Sequence, residues 1–73
     1  MEKTQKRIKM KQWRVGLDMS QEQMADSLGV SRSLYAAIEN GQRYGRMPFW
    51  KKLEVTHNVP KADVYDMMTE IEF

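Results

Sequence analysis

The sequence predicts an all-α fold, a compact five-helix bundle forming a single domain over residues 1–73. Three observations point there. Apolar residues recur at spacings of three and four, the period of a helix face, through most of the chain. Helix formers are plentiful, and the 4 Gly and 2 Pro fall where turns and helix ends are expected. The strand signal is weak: only Thr69 to Phe73 alternates, ending in Ile71 and Phe73.

The first helix is expected from about Thr4 to Leu17. Met10, Trp13 and Leu17 stand at i, i+3 and i+7 and should point into the core, and Gly16 weakens the helix near its end. Ser20 opens the second helix, with Gln23 at N3 able to close a capping box. Met24 and Leu28 give that helix one apolar face. Ala25, on the same side, leaves room for a second helix. Gly29 ends it, because a C′ position in the left-handed region suits a residue without Cβ. Val30 supplies an apolar contact after the turn.

Ser31 is a good N-cap for the third helix, Arg32 to Asn40, in which Tyr35 and Ile38 face inward and which Gly41 closes. The loop Gln42 to Arg46 follows. The fourth helix covers about Met47 to His57, with Pro48 tolerated in its first turn. Met47, Trp50 and Leu53 form its inward stripe, and His57 falls where it would complete that stripe as a packed core residue. Asn58 is the left-handed cap. Pro60 opens the fifth helix, about Lys61 to Met68 or beyond, with Asp63 favourable near its N-terminus. Trp13 and Trp50 read as core.

Seventy-three residues set the core at the small end of what folds without staples. The absence of Cys leaves no disulfide and no thiolate site. No apolar run approaches membrane-spanning length, and Met1 to Arg14 is basic without an apolar stretch, so a cytoplasmic protein is expected. A single His, no metal-ligand spacing and no phosphate-loop pattern argue against an enzyme. No cofactor, metal or small-molecule substrate is expected.

The net charge of +2 hides a pattern. Residues 1–14 carry six basic and one acidic residue, and residues 15–31 three acids and no base. Residues 32–52 carry five basic residues and Glu39, and residues 53–73 five acids and Lys61. A basic surface built from the first and third segments suits a polyanion on one side of the domain.

Two short helices around Ala25 and Gly29, with apolar positions in this order, are what a DNA-binding helix-turn-helix needs. The residues SQEQMADSLGVSRSLYAAIENGQR resemble the helix-turn-helix of the phage Cro and repressor type, the XRE family. The matching positions are Ser20, Gln21, Ala25, Leu28, Gly29, Val30, Ser31, Ile38, Glu39, Asn40 and Gly41. A weaker likeness extends over roughly residues 7 to 68. The resemblance implies a lambda-repressor-like DNA-binding fold and a transcriptional regulator that binds an operator in double-stranded DNA. It also suggests Asp18 as the C′ residue of the first helix.

Recognition would fall on the third helix, whose outward positions are Arg32, Ser33, Ala36 and Ala37. Arg32 can donate two hydrogen bonds to a guanine, Ser33 can bond a base edge or a phosphate, and Ala36 or Ala37 can meet a thymine methyl. By resemblance, Arg32, Ser33 and Ala37 match base-reading positions. Two of the three are small, so shape readout is expected to carry part of the specificity.

Phosphate contacts are expected at the starts of the second and third helices, around Gln21 and Ser31, and from Asn40, Gln42, Arg43, Tyr44 and Arg46. Gln21 matches a phosphate-bonding Gln of the family. Lys51 and Lys52 are either further phosphate contacts or a solvated face, and the N-terminal basic run reads as the outer, solvated face of the first helix rather than an arm. Arg14 and Glu39 match positions that the family joins as an ion pair. A homodimer is expected, through Val64, Met67, Met68, Ile71 and Phe73. The rival readings are a protein-binding antirepressor or adaptor, and an antitoxin, each keeping the helix-turn-helix fold.

Overall fold

The structure is a computed structural model and describes residues 6–70. Among the described residues five helices follow one another: α1 Ile8–Gly16, α2 Gln21–Leu28, α3 Arg32–Glu39, α4 Met47–Thr56 and α5 Lys61–Thr69. Among the described residues there is no strand. Of the stretch expected to alternate, Thr69 closes α5 and residues 71–73 lie outside the described residues. No helix is long and apolar enough to cross a membrane among these residues.

Local rules account for the helix ends. Ser20 and Gln23 form a reciprocal capping box: the Gln23 N–H donates to Ser20 Oγ at 3.0 Å, and the Ser20 N–H to Gln23 Oε1 at 2.8 Å. Ser31 Oγ accepts from the Leu34 N–H at 3.0 Å. Four helices stop in the same way, with a left-handed residue at Asp18, Gly29, Gly41 or Asn58. In each case the next N–H reaches back five residues: Met19 to Arg14, Val30 to Ala25, Gln42 to Ala37 and Val59 to Glu54. These bonds satisfy carbonyls that the end of a helix would otherwise orphan.

The buried core is Met10, Met24, Ala25, Leu28, Tyr35, Ile38, Phe49, Trp50, Leu53, Val59, Val64 and Met67. Phe49 and Trp50 meet edge to face at 5.0 Å between centroids, within the favourable range for aromatic pairs. His57 is half-buried where α1, α2 and α4 meet. Its ring lies edge-on to Trp13 at 5.4 Å, and its Nε2 is 2.9 Å from Ser27 Oγ.

Several expectations need correction. Among the described residues, α1 begins at Ile8 rather than Thr4, because Arg7 has φ −80° and ψ 81° and turns inward. Leu17 and Met47 are 45% and 65% exposed. Leu17 follows the last residue of α1, where the chain turns away through Asp18. Met47 is the first residue of α4, ahead of the core, and Phe49 takes the buried place. Val64 and Met67, expected at a dimer contact, belong to the domain's own core. Met68 packs partly against that core. Ile71 and Phe73 lie outside the described residues. The N-terminal basic run is not one solvated face: Lys6, Lys9 and Lys11 are exposed, but Arg7 and Arg14 are buried.

Candidate nucleic-acid interface

Tyr35 and Ile38, both fully buried, hold α3 to the domain. The opposite side of α3 is therefore turned outward. Arg32 and Ser33 are exposed, and Ala36 and Ala37 half-buried. Arg32 and Ser33 occupy the first turn, where a helix entering a major groove by its N-terminal end presents its side chains. Ser31 accepts the capping bond, which leaves its hydroxyl hydrogen to donate elsewhere.

Glu39 ties this helix to its neighbours. Its carboxylate accepts from Arg14 Nε at 2.9 Å and Nη2 at 3.1 Å, from Gln21 Nε2 at 3.0 Å and from the Tyr35 hydroxyl at 2.9 Å. Arg14 Nη1 donates to the Met19 carbonyl at 2.8 Å. A bidentate ion pair with every lone pair engaged is the geometry in which buried charges are tolerated. Burial pushes the Glu39 carboxyl up, but the bonds from Arg14, Gln21 and Tyr35 and the charge of Arg14 outweigh it and hold its pKa below the ordinary value. The bond to Glu39 raises Arg14, and burial beside Glu39 raises Tyr35. The network joins α1, α2 and α3 and ties the start of α2 to the end of α3. Gln21 uses one amide hydrogen on Glu39 and keeps a second donor.

Beside this network lies a cleft of about 180 Å³, lined by Lys6, Lys11, Gln21 and Asn40 among others. Lys6 and Lys11 are basic neighbours of the α2 N-terminus that sequence reasoning left out of the site. Their separation along the chain from Gln21 and Asn40 gave no local signal.

After α3 the loop carries Gln42, Arg43, Tyr44 and Arg46, all exposed. It borders an open groove of about 630 Å³ floored by Leu34, Ile38 and Phe49. Gly45 fixes its course. With φ +80°, a Cβ there would stand 3.0 Å from Trp50 Nε1 and 3.2 Å from Ile38 Cδ1. Trp50 Nε1 also donates to the Tyr44 carbonyl at 3.1 Å. Lys51 and Lys52 are exposed on α4. Among the described residues, no three His, Cys, Asp or Glu side chains gather as a metal site.

A sequence model of the helix-turn-helix matches residues 10–64. The cryptic phage CTXphi transcriptional repressor RstR of Vibrio cholerae is 34% identical over 65 residues, a span that covers 88% of this chain and 59% of the repressor. The chain thus spans somewhat over half the length of that curated relative. No solved structure matches this chain.

Proposed function

Since the chain belongs to the XRE-type helix-turn-helix family, we propose that it is a sequence-specific, DNA-binding transcriptional regulator. In this reading it acts as a Cro-like protein or short repressor of a phage or mobile element. The observation that carries this reading is the arrangement of α3. Arg32 and Ser33 are exposed on the first turn of a helix whose other side is buried, flanked by the Gln42–Arg46 loop and the start of α2. In this reading Arg32, Ser33, Ala36 and Ala37 meet base edges. Gln21, Ser31, Asn40, Gln42, Arg43, Tyr44 and Arg46 meet phosphates, with Lys6 and Lys11 beside the cleft adding charge. The role is a binding one, without cofactor, in the cytoplasm.

Two copies on one face of DNA would double a contact set that small reading residues keep short. Their half-site centres would lie about 34–36 Å apart. With Val64 and Met67 in the core, the α5 contact proposed for such a dimer rests on Met68 and on Tyr65, which is 64% exposed.

Reading and gripping are separable. Selection of bound sequences from random duplex DNA is expected to yield a preferred site. Arg32→Ala is expected to lose roughly 1–3 kcal/mol on that site and to relax preference at one base pair. Arg43→Ala is expected to weaken all sequences about equally and to flatten the salt dependence by about one phosphate. Identical profiles for the two variants across a panel of sites would remove Arg32 from the base edges. The small Ala36 and Ala37 favour a second reading, a protein-binding adaptor that keeps the fold. Failure to select any duplex would support it.

A further inference from the structure

Arg7 is fully buried, yet among the described residues no carboxylate is a hydrogen-bond partner of it. Its guanidinium instead spends all five N–H groups on backbone carbonyls. Nε donates to Met67 at 3.0 Å. Nη1 donates to Ile38 at 2.6 Å and Arg43 at 2.9 Å, and Nη2 to Tyr44 at 3.3 Å and Met68 at 3.4 Å. The guanidinium carbon lies 5.2 Å from the centroid of the Trp50 ring. The Arg7 N–H also donates to the Glu39 carbonyl at 2.9 Å.

These partners fall into three groups. Met67 and Met68 lie in the last turn of α5, Ile38 in the last turn of α3, and Arg43 and Tyr44 in the loop beyond it. The C-terminal ends of helices carry partial negative charge, which a cation offsets. Burial nonetheless lowers the Arg7 pKa, opposed by Glu70 and Tyr44. Glu70 reciprocates across the same junction, its Oε1 accepting from the Lys9 N–H at 2.9 Å at the start of α1.

The consequence for the loop is directional. Arg7 turns the carbonyls of Arg43 and Tyr44 inward, where they cannot face an anion, while both side chains remain exposed. It also joins the loop to the end of α3 through one rigid, planar group. We infer that Arg7 is a positioning residue: it holds Arg43, Tyr44 and Arg46 in register with the reading face of α3, so that the loop meets phosphates while Arg32 meets bases. This rests on the DNA-binding reading above. Lysine cannot replace it, because an ammonium has three donors on a point charge and cannot serve five carbonyls as the five-donor planar guanidinium does.

The test uses the full chain, with Arg7→Lys as the variant and Lys9→Gln as a charge control. Circular dichroism establishes folding. In Arg7→Lys, amide hydrogen exchange at residues 42–46 is expected to accelerate while α2 keeps its protection; Lys9→Gln leaves both unchanged. On a mixed-sequence DNA duplex, Arg7→Lys is expected to flatten the salt slope by about two phosphates, at ~0.9 per contact. Arg43→Ala, which flattens the wild-type slope by about one contact, should add nothing further in the Arg7→Lys background. Unchanged exchange in the loop, or a full Arg43→Ala effect in both backgrounds, would overturn the inference. So would unfolding of Arg7→Lys, which would make Arg7 a requirement of the whole fold. If the wild-type chain binds no duplex, the DNA-binding reading fails by itself, and loop exchange still decides whether Arg7 positions the loop.

Discussion

Replacing Glu39 with Ala is expected to destabilise the domain by about 3–5 kcal/mol, the usual consequence of stranding one partner of a buried ion pair. Arg14, whose side chain is only 11% exposed, would lose both hydrogen bonds to the carboxylate. Gln21 and Tyr35 would lose theirs as well. In a domain of this size each kcal/mol lowers the melting temperature by about 4–8 °C, so thermal unfolding followed by circular dichroism should drop on the order of 20 °C. A shift of only a few degrees would mean that Arg14 reaches solvent easily and that the network is not what joins α1, α2 and α3. The same network sets a pH dependence. The folded Glu39 pKa lies below the ordinary 4.5, so its contribution is present above that value and is lost as pH falls through the folded pKa. Glu39→Gln should remove that part of the acid sensitivity.

Affinity for duplex DNA is expected to fall steeply with salt. With on the order of six to ten phosphates neutralised per dimer, binding should weaken about 10³–10⁵-fold between roughly 50 and 200 mM salt. Fluorescence anisotropy of a labelled duplex measures this directly. A flat response would remove the loop and helix ends from the phosphates. No binding even at low salt would favour the protein-binding adaptor.

The helix ends were readable from the sequence because capping is local. Ser20 with Gln23, Gly29, Ser31, Gly41 and Asn58 each act on groups within a few residues, and so reveal themselves by spacing alone. Tyr35 and Ile38 were equally legible, since an eight-residue helix with one buried side leaves little choice of face. Periodicity misled at the ends of helices. Leu17 and Met47 continue an apolar stripe in sequence, but the helix has stopped or barely begun there, and the side chain no longer shares the face. Val64 and Met67 looked like surplus apolar residues because the size of the core against which α5 docks cannot be counted from one helix.

Arg7 was illegible for a deeper reason. A cation in a basic run reads as solvated. The carbonyls that enclose it come from segments 31 to 61 residues away and carry no side-chain signature. For the proposed interface, residue types and spacing pointed to α3 and its following loop. They could not bring Lys6 and Lys11 next to Gln21 and Asn40, because that neighbourhood exists only once α1 has packed.

On the DNA-binding reading, one face of the domain, made by α3, the Gln42–Arg46 loop and the start of α2, receives DNA. Titrating isotope-labelled protein with duplex DNA, and following each backbone amide by NMR, tests it most directly. The expected result is that shifts concentrate at residues 31–37 and 40–46 and around Gln21, while the exposed side of α4 around Val55 is silent. Shifts centred on α4 and α5, with residues 31–46 unmoved at saturating duplex, would contradict the account.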